Sequence, residues 1–82
     1  MKIHIDTHAE RDLQRFPRDV FERLIAAIRQ LDNDPRPPGC RKLVGSKNDW
    51  RIRVGPYRIL YTIDDTARIV CITAVVHRKD AY

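Results

Sequence analysis

Cysteine is scarce in this chain, long apolar runs are missing, and acidic residues thin out toward the C-terminus. No apolar stretch approaches the ~20 residues of a membrane-spanning helix. The opening residues Met1-Lys2-Ile3-His4-Ile5-Asp6 alternate polar and apolar side chains where a signal peptide would carry an apolar core. The expected location is therefore cytoplasmic, with no membrane partner. The two cysteines, Cys40 and Cys71, form neither a CxxC pair nor a metal-ligand spacing. Cys71 falls inside an apolar run and reads as a small buried hydrophobe, while Cys40 follows Pro37-Pro38-Gly39 in a loop. A reducing compartment keeps both as free thiols, with a disulfide as the alternative. A glycine-rich phosphate loop, a Ser/His/Asp set and a paired-carboxylate site are all missing. His4 and His8 lack the carboxylates or cysteines that would complete a metal site, and read as surface histidines. Neither a metal nor a cofactor is expected.

The chain of 82 residues is long enough for one domain and too short for two, so residues 1–82 are read as a single domain. A domain of this size buries only about 60–65% of the surface its unfolded chain exposes, which leaves a thin stability margin. Hydrophobic residues make up 43% of the chain, a level that argues for a globular fold and against disorder. Charge is unevenly spread. Residues 1–40 hold seven Lys/Arg and seven Asp/Glu, whereas residues 41–82 hold nine against four, which accounts for the net charge of +5. A neutral half and a basic half point to a localised positive surface for a polyanion. A solubilising surface of arbitrary sign is the plainer alternative.

Ile3 and Ile5 alternate with polar neighbours, so residues 2–6 read as a short strand. Thr7-His8-Ala9-Glu10 matches a capping box, with Thr7 as the cap and Glu10 reaching back to it. Ala9, Leu13 and Phe16 then share one helical face. Pro17 ends that helix and opens the next. In the second helix Phe21, Leu24, Ile25, Ile28 and Leu31 form an apolar stripe, and the helix ends by Asn33-Asp34-Pro35. Residues 34–39, with three prolines, are a connector. After it the hydrophobic period changes from 3.6 to 2.

Trp50, Ile52 and Val54 alternate with Arg51 and Arg53, and Tyr57, Ile59, Tyr61 and Ile63 alternate with Arg58, Leu60 and Thr62. Between the runs lies Gly55-Pro56, a two-residue hairpin signal in which glycine supplies the unusual first torsion. A two-residue loop pairs Val54 with Tyr57, Ile52 with Ile59 and Trp50 with Tyr61. Those six residues share a core face for the helices to cover. The same register sets Arg53 opposite Arg58, with Arg51 beside them on the other face. Like charges directly opposite each other destabilise a sheet, so their placement points to an anionic ligand. The apolar segment Ile69–Val76 reads as a strand buried on both faces, its register open by one residue. If Ile69 joins the core face, Ala74 falls near Arg58, and Arg78 projects to the same side, leaving a hollow rimmed by arginines. The fold class is α+β: an N-terminal strand and a helical hairpin packed on one face of a small, mainly antiparallel C-terminal sheet.

The strings Leu43-Val44-Gly45, Trp50-Arg51-Ile52-Arg53-Val54-Gly55-Pro56-Tyr57-Arg58-Ile59-Leu60-Tyr61 and His77-Arg78-Lys79-Asp80-Ala81-Tyr82 together resemble the RelE/ParE toxin superfamily. The resemblance covers nearly the whole chain and implies a RelE-like fold. It also implies a toxin held in check by a cognate antitoxin, and for RelE-like members an mRNA interferase that cuts mRNA in the decoding site of the ribosome. Ribosome, mRNA and antitoxin are the implied partners, with operator DNA reached only through the antitoxin. By motif position the implied site residues are Arg51, Arg53, Arg58, Arg78 and Tyr82. Arg51 and Arg53 stand where the family often has lysine.

Arginines suit phosphoryl chemistry because they are planar, bidentate toward phosphate and permanently charged. That permanence makes them poor general bases. His77 is the candidate substitute for proton transfer, against a reading in which it only ends a strand. Tyr82 would stack on a base or donate a proton, against a reading in which it tucks onto the core. Lys47 and Lys79 are read as positioning contacts to phosphate, and Trp50, Tyr57 and Tyr61 as core residues. Two other functions remain open: gyrase inhibition, as in the ParE-like branch, and a noncatalytic RNA-binding or autoregulatory role.

Overall fold

The change of period along the sequence becomes a division between two helices and a sheet. The computed structural model describes residues 1–46 and 48–80. Its elements are β1 (Lys2–Ile5), α1 (Thr7–Gln14), α2 (Arg18–Gln30), β2 (Arg41–Lys42), β3 (Asp49–Val54), β4 (Tyr57–Asp64), β5 (Ile69–His77) and a 3-10 turn, Arg78–Asp80. The five strands lie in the order β1-β5-β4-β3-β2. β1 runs parallel to β5, and the other neighbours are antiparallel. No helix among the described residues is long and apolar enough to cross a membrane.

The β3–β4 hairpin has the expected register, with Val54 opposite Tyr57, Ile52 opposite Ile59 and Trp50 opposite Tyr61. Gly55 has φ +59°, the left-handed torsion that a two-residue turn of this kind requires at its first position. Ala9 and Leu13 of α1, Leu24 and Ile28 of α2, and Leu31 just after it bury against Ile52, Ile59, Tyr61, Ile63, Val70, Ile72 and Val75 of the sheet. Each fully buried leucine or isoleucine contributes about 1.5–3 kcal/mol. Tyr61 is fully buried, and its hydroxyl donates to the Pro35 carbonyl at 2.8 Å.

Three local expectations are corrected. Thr7 is the first residue of α1 and not its cap; Asp6 holds the cap position, with no side-chain capping bond. The helix begins one residue earlier than the motif implies: the Asp6 carbonyl accepts the Glu10 N–H at 2.9 Å, so the third helical residue is Ala9 and not Glu10. Phe21 belongs to the stripe of α2 by spacing but is 36% exposed, because it borders an open groove with Ile5, Leu13 and Ile25. β5 is not buried on both faces. Val70, Ile72 and Val75 are buried, while Ile69, Cys71, Thr73 and Ala74 are half-exposed, since both helices pack on the same side of the sheet.

The register of β5 also differs from the expected condition. Ile69 lies opposite Asp64, away from the core face. Tyr61 then pairs with Ile72 while Leu60 pairs with Ala74, so Thr73 is an extra residue, a β-bulge. The bulge inverts the alternation, and Ala74 reaches the arginine face by this route. Both cysteines are free, and burial raises the pKa of the Cys71 thiol.

Candidate functional site

Strand parity gathers the arginines on the sheet face turned away from the helices. Arg53 lies directly opposite Arg58, and Arg58 lies opposite Val76 on β5. One row further on, Arg51 is opposite Leu60, which is opposite Ala74. The register thus sets Leu60, Ala74 and Val76 next to the arginine positions on this face. Arg58 is only 9% exposed, whereas Arg53 is exposed and Arg51 half-buried. The face therefore carries positive charge at two depths. A guanidinium in a partly desolvated setting attracts an anion more strongly than one in open water.

Arg78 follows β5 in the 3-10 turn, where its N–H donates to the Pro56 carbonyl at 2.7 Å and ties it to the hairpin tip. Lys79 is exposed in the same turn, and its N–H donates to Nδ1 of His77 at 3.2 Å. His77 is not brought to the arginines. It pairs with Tyr57 across the strands and meets that ring edge-on, with centroids 5.4 Å apart, on the helix side of the sheet. Lys47 and Tyr82 lie outside the described residues. His4 is exposed on β1, and the exposed His8 stands 3.7 Å from Asp12.

Three residues escaped the sequence reading. Arg41, on the two-residue strand β2, is opposite Arg51 and extends the arginine row. Nothing in its local pattern marks so short a strand. Arg23 of α2 reaches the hairpin tip, where a Cβ on Gly55 would stand 3.3 Å from its guanidinium. Asp12 is buried beneath β5, and its carboxylate accepts the Val75 N–H at 3.0 Å. Beside the arginine row a cleft of about 570 Å³ opens at the β3 edge, lined by Arg41, Arg51, Arg53, Val54, Gln30 and Pro38.

Arg36 is engaged elsewhere. Its guanidinium donates to both carboxylate oxygens of Asp65, at 2.9 and 3.3 Å, and lies 5.1 Å from the centroid of the Trp50 ring. The hydrogen bond from Arg36 holds the Asp65 carboxyl below its ordinary pKa. Trp50 packs against the core from its edge, as do Tyr57 and Val54.

Residues 3–82 match the family described as the ParE toxin of type II toxin–antitoxin system, parDE. Toxin RelG of Mycobacterium tuberculosis is 34% identical over 98% of this chain and 93% of its own. Among solved structures, a chain of the toxin–antitoxin complex RelBE2 from Mycobacterium tuberculosis superposes with a TM-score of 0.84 at 29% identity, covering 94% of this chain and 96% of that one. A chain of the RelB-RelE antitoxin–toxin complex from Methanococcus jannaschii gives a TM-score of 0.79 at 26% identity, covering 96% and 94%. The chain belongs to the ParE toxin family of type II toxin–antitoxin systems, within the RelE/ParE superfamily.

Proposed function

We propose that this toxin is an endoribonuclease that cuts mRNA on the ribosome, in the cytoplasm, by attack of a ribose 2′-hydroxyl on the adjacent phosphate. The attack forms a 2′,3′-cyclic phosphate and releases a 5′-hydroxyl. The observation that supports it best is Arg53 facing Arg58 across the hairpin with Arg51 on the same face. Negative charge grows on the nonbridging oxygens as the 2′-oxygen closes on phosphorus. Cations already fixed at that position lower the barrier, and losing one such group costs about 10²–10³ in kcat. Arg51, Arg53, Arg58 and Arg78 take that role, while Lys47 and Lys79 position the backbone.

Proton transfer needs another source. Arg58 is paired with Arg53 and Val76, and the next row holds Arg51, Leu60 and Ala74; a guanidinium does not act as a base near neutral pH. His77 lies on the other side of the sheet, so it is not assigned the role. The 2′-proton and the leaving oxygen are served by Tyr82 or by groups of the ribosome, which accords with cleavage that requires the ribosome. A single 2′-deoxy nucleotide at the attacking position tests the chemistry: it should stop cleavage there while leaving binding intact. Continued cutting at that bond would rule out 2′-hydroxyl attack.

The partner on this reading is a cognate antitoxin with an acidic segment, ordered on binding against the basic face. The RelBE2 and RelB-RelE complexes provide the precedent in relatives, and operator DNA would be reached only through the antitoxin. Coexpression should yield a complex that no longer cleaves; full cleavage by the intact complex would refute inhibition by covering. A second reading follows from the description of the matching family, which names ParE. Such a toxin would inhibit gyrase without cutting RNA, and a supercoiling assay separates the two.

A further inference from the structure

We propose that Asp12 is a positioning residue for the arginine face, acting through the β5 bulge; this rests on reading that face as the reactive one. Asp12 sits within α1 beside Ala9 and Leu13 and is only 7% exposed. A carboxylate is costly to bury unless its oxygens are occupied. Oδ2 accepts the Val75 N–H at 3.0 Å, and Oδ1 stands 3.7 Å from Nε2 of His8.

An N–H aimed at α1 points away from β4, so the Val75 amide is not a rung of the β4–β5 ladder. β1 borders β5 on that side, but its pairing ends at Ile72, so Asp12 takes the place of a strand there. In a regular strand the outward direction recurs at every second residue. The Ile72 carbonyl points outward, toward the Asp6 N–H, so an unbulged strand would next turn Ala74 outward. By binding Val75 instead, Asp12 selects the register in which Thr73 is the extra residue.

That choice decides what stands beside the arginines. With the bulge, Ala74 and Val76 lie next to Leu60 and Arg58. Without it, Thr73 and Val75 would take those positions, and the chain would leave β5 with Arg78 out of phase with Arg58. Asp12 touches no reacting atom. It sets the phase of the segment that delivers Arg78.

The test combines cross-strand NOEs with cleavage kinetics on the same proteins. Asp12→Asn keeps a carbonyl acceptor and should retain the Leu60–Ala74 contact and most of the activity. Asp12→Ala should move the partner of Leu60 to Thr73 and lower kcat by about a hundredfold with little change in KM. Deleting Thr73 from Asp12→Ala restores Ala74 opposite Leu60 without a bulge, and should restore cleavage. A general loss of stability would not be repaired by shortening a strand. The proposal is overturned if Asp12→Ala keeps Ala74 opposite Leu60, or if it fails to fold both with and without Thr73. Should the register move as expected while the unmodified chain cuts no RNA, the hold of Asp12 on the strand stands and the nuclease reading fails.

Discussion

Arg53 and Arg58 face each other across the β3–β4 hairpin, the first exposed and the second buried. Like charges in that relationship work against the sheet. Arg53→Gln should therefore raise stability by about 0.2–1 kcal/mol, because it removes a repulsion without opening a cavity. The same change should lower RNA cleavage by about 10²-fold. Urea melts and cleavage rates measured on one preparation check the opposed signs. A loss of both stability and activity would mean that the pair is structural.

Salt dependence separates electrostatic contact from other binding. Each phosphate neutralised on a single strand contributes about 0.7 to the slope of log affinity against log salt. Replacing Arg53, or replacing Arg41 in the extended row, should reduce that slope by about this amount and weaken binding equally across RNA sequences. An unchanged slope for Arg41→Gln would place β2 outside the interface.

Tyr61 gives a stability prediction on the far side of the core. Burial raises its phenol pKa above the usual value, and its hydroxyl donates to Pro35. A raised folded-state pKa means a contribution that is complete below about pH 10 and is lost as pH rises beyond. Tyr61→Phe should cost about 1 kcal/mol near neutrality. The gap between the two proteins should close in alkali, where the unfolded phenol ionises. Denaturation midpoints in the two ranges read this directly, and a constant gap would contradict it.

The hairpin was legible from sequence because its signals are local. Gly55-Pro56 sets the loop length, strict alternation sets the faces, and together they place Arg53 opposite Arg58. β5 offered no such alternation, since Ile69–Val76 is apolar almost throughout. Its register is tied instead to a carboxylate 63 residues away in sequence, Asp12, which no local pattern reveals. The capping box fails because the helix starts one residue early, at the end of β1, where Asp6 pairs through its N–H with Ile72 and through its carbonyl with the Glu10 N–H. Arg41 stayed hidden because β2 is only two residues long. His77 was plausible by residue type, but the parity that follows from the bulge sends it to the Tyr57 side.

The most direct test of the central claim is primer-extension mapping of mRNA 5′ ends after incubation with the purified toxin, with and without programmed ribosomes. Arg58→Ala and Arg78→Ala proteins, shown to be folded, run alongside. The expected result is cuts that appear only with ribosomes and vanish in both variants. Folded toxin that stops growth yet leaves mRNA intact on the ribosome would contradict the account and move the function to gyrase.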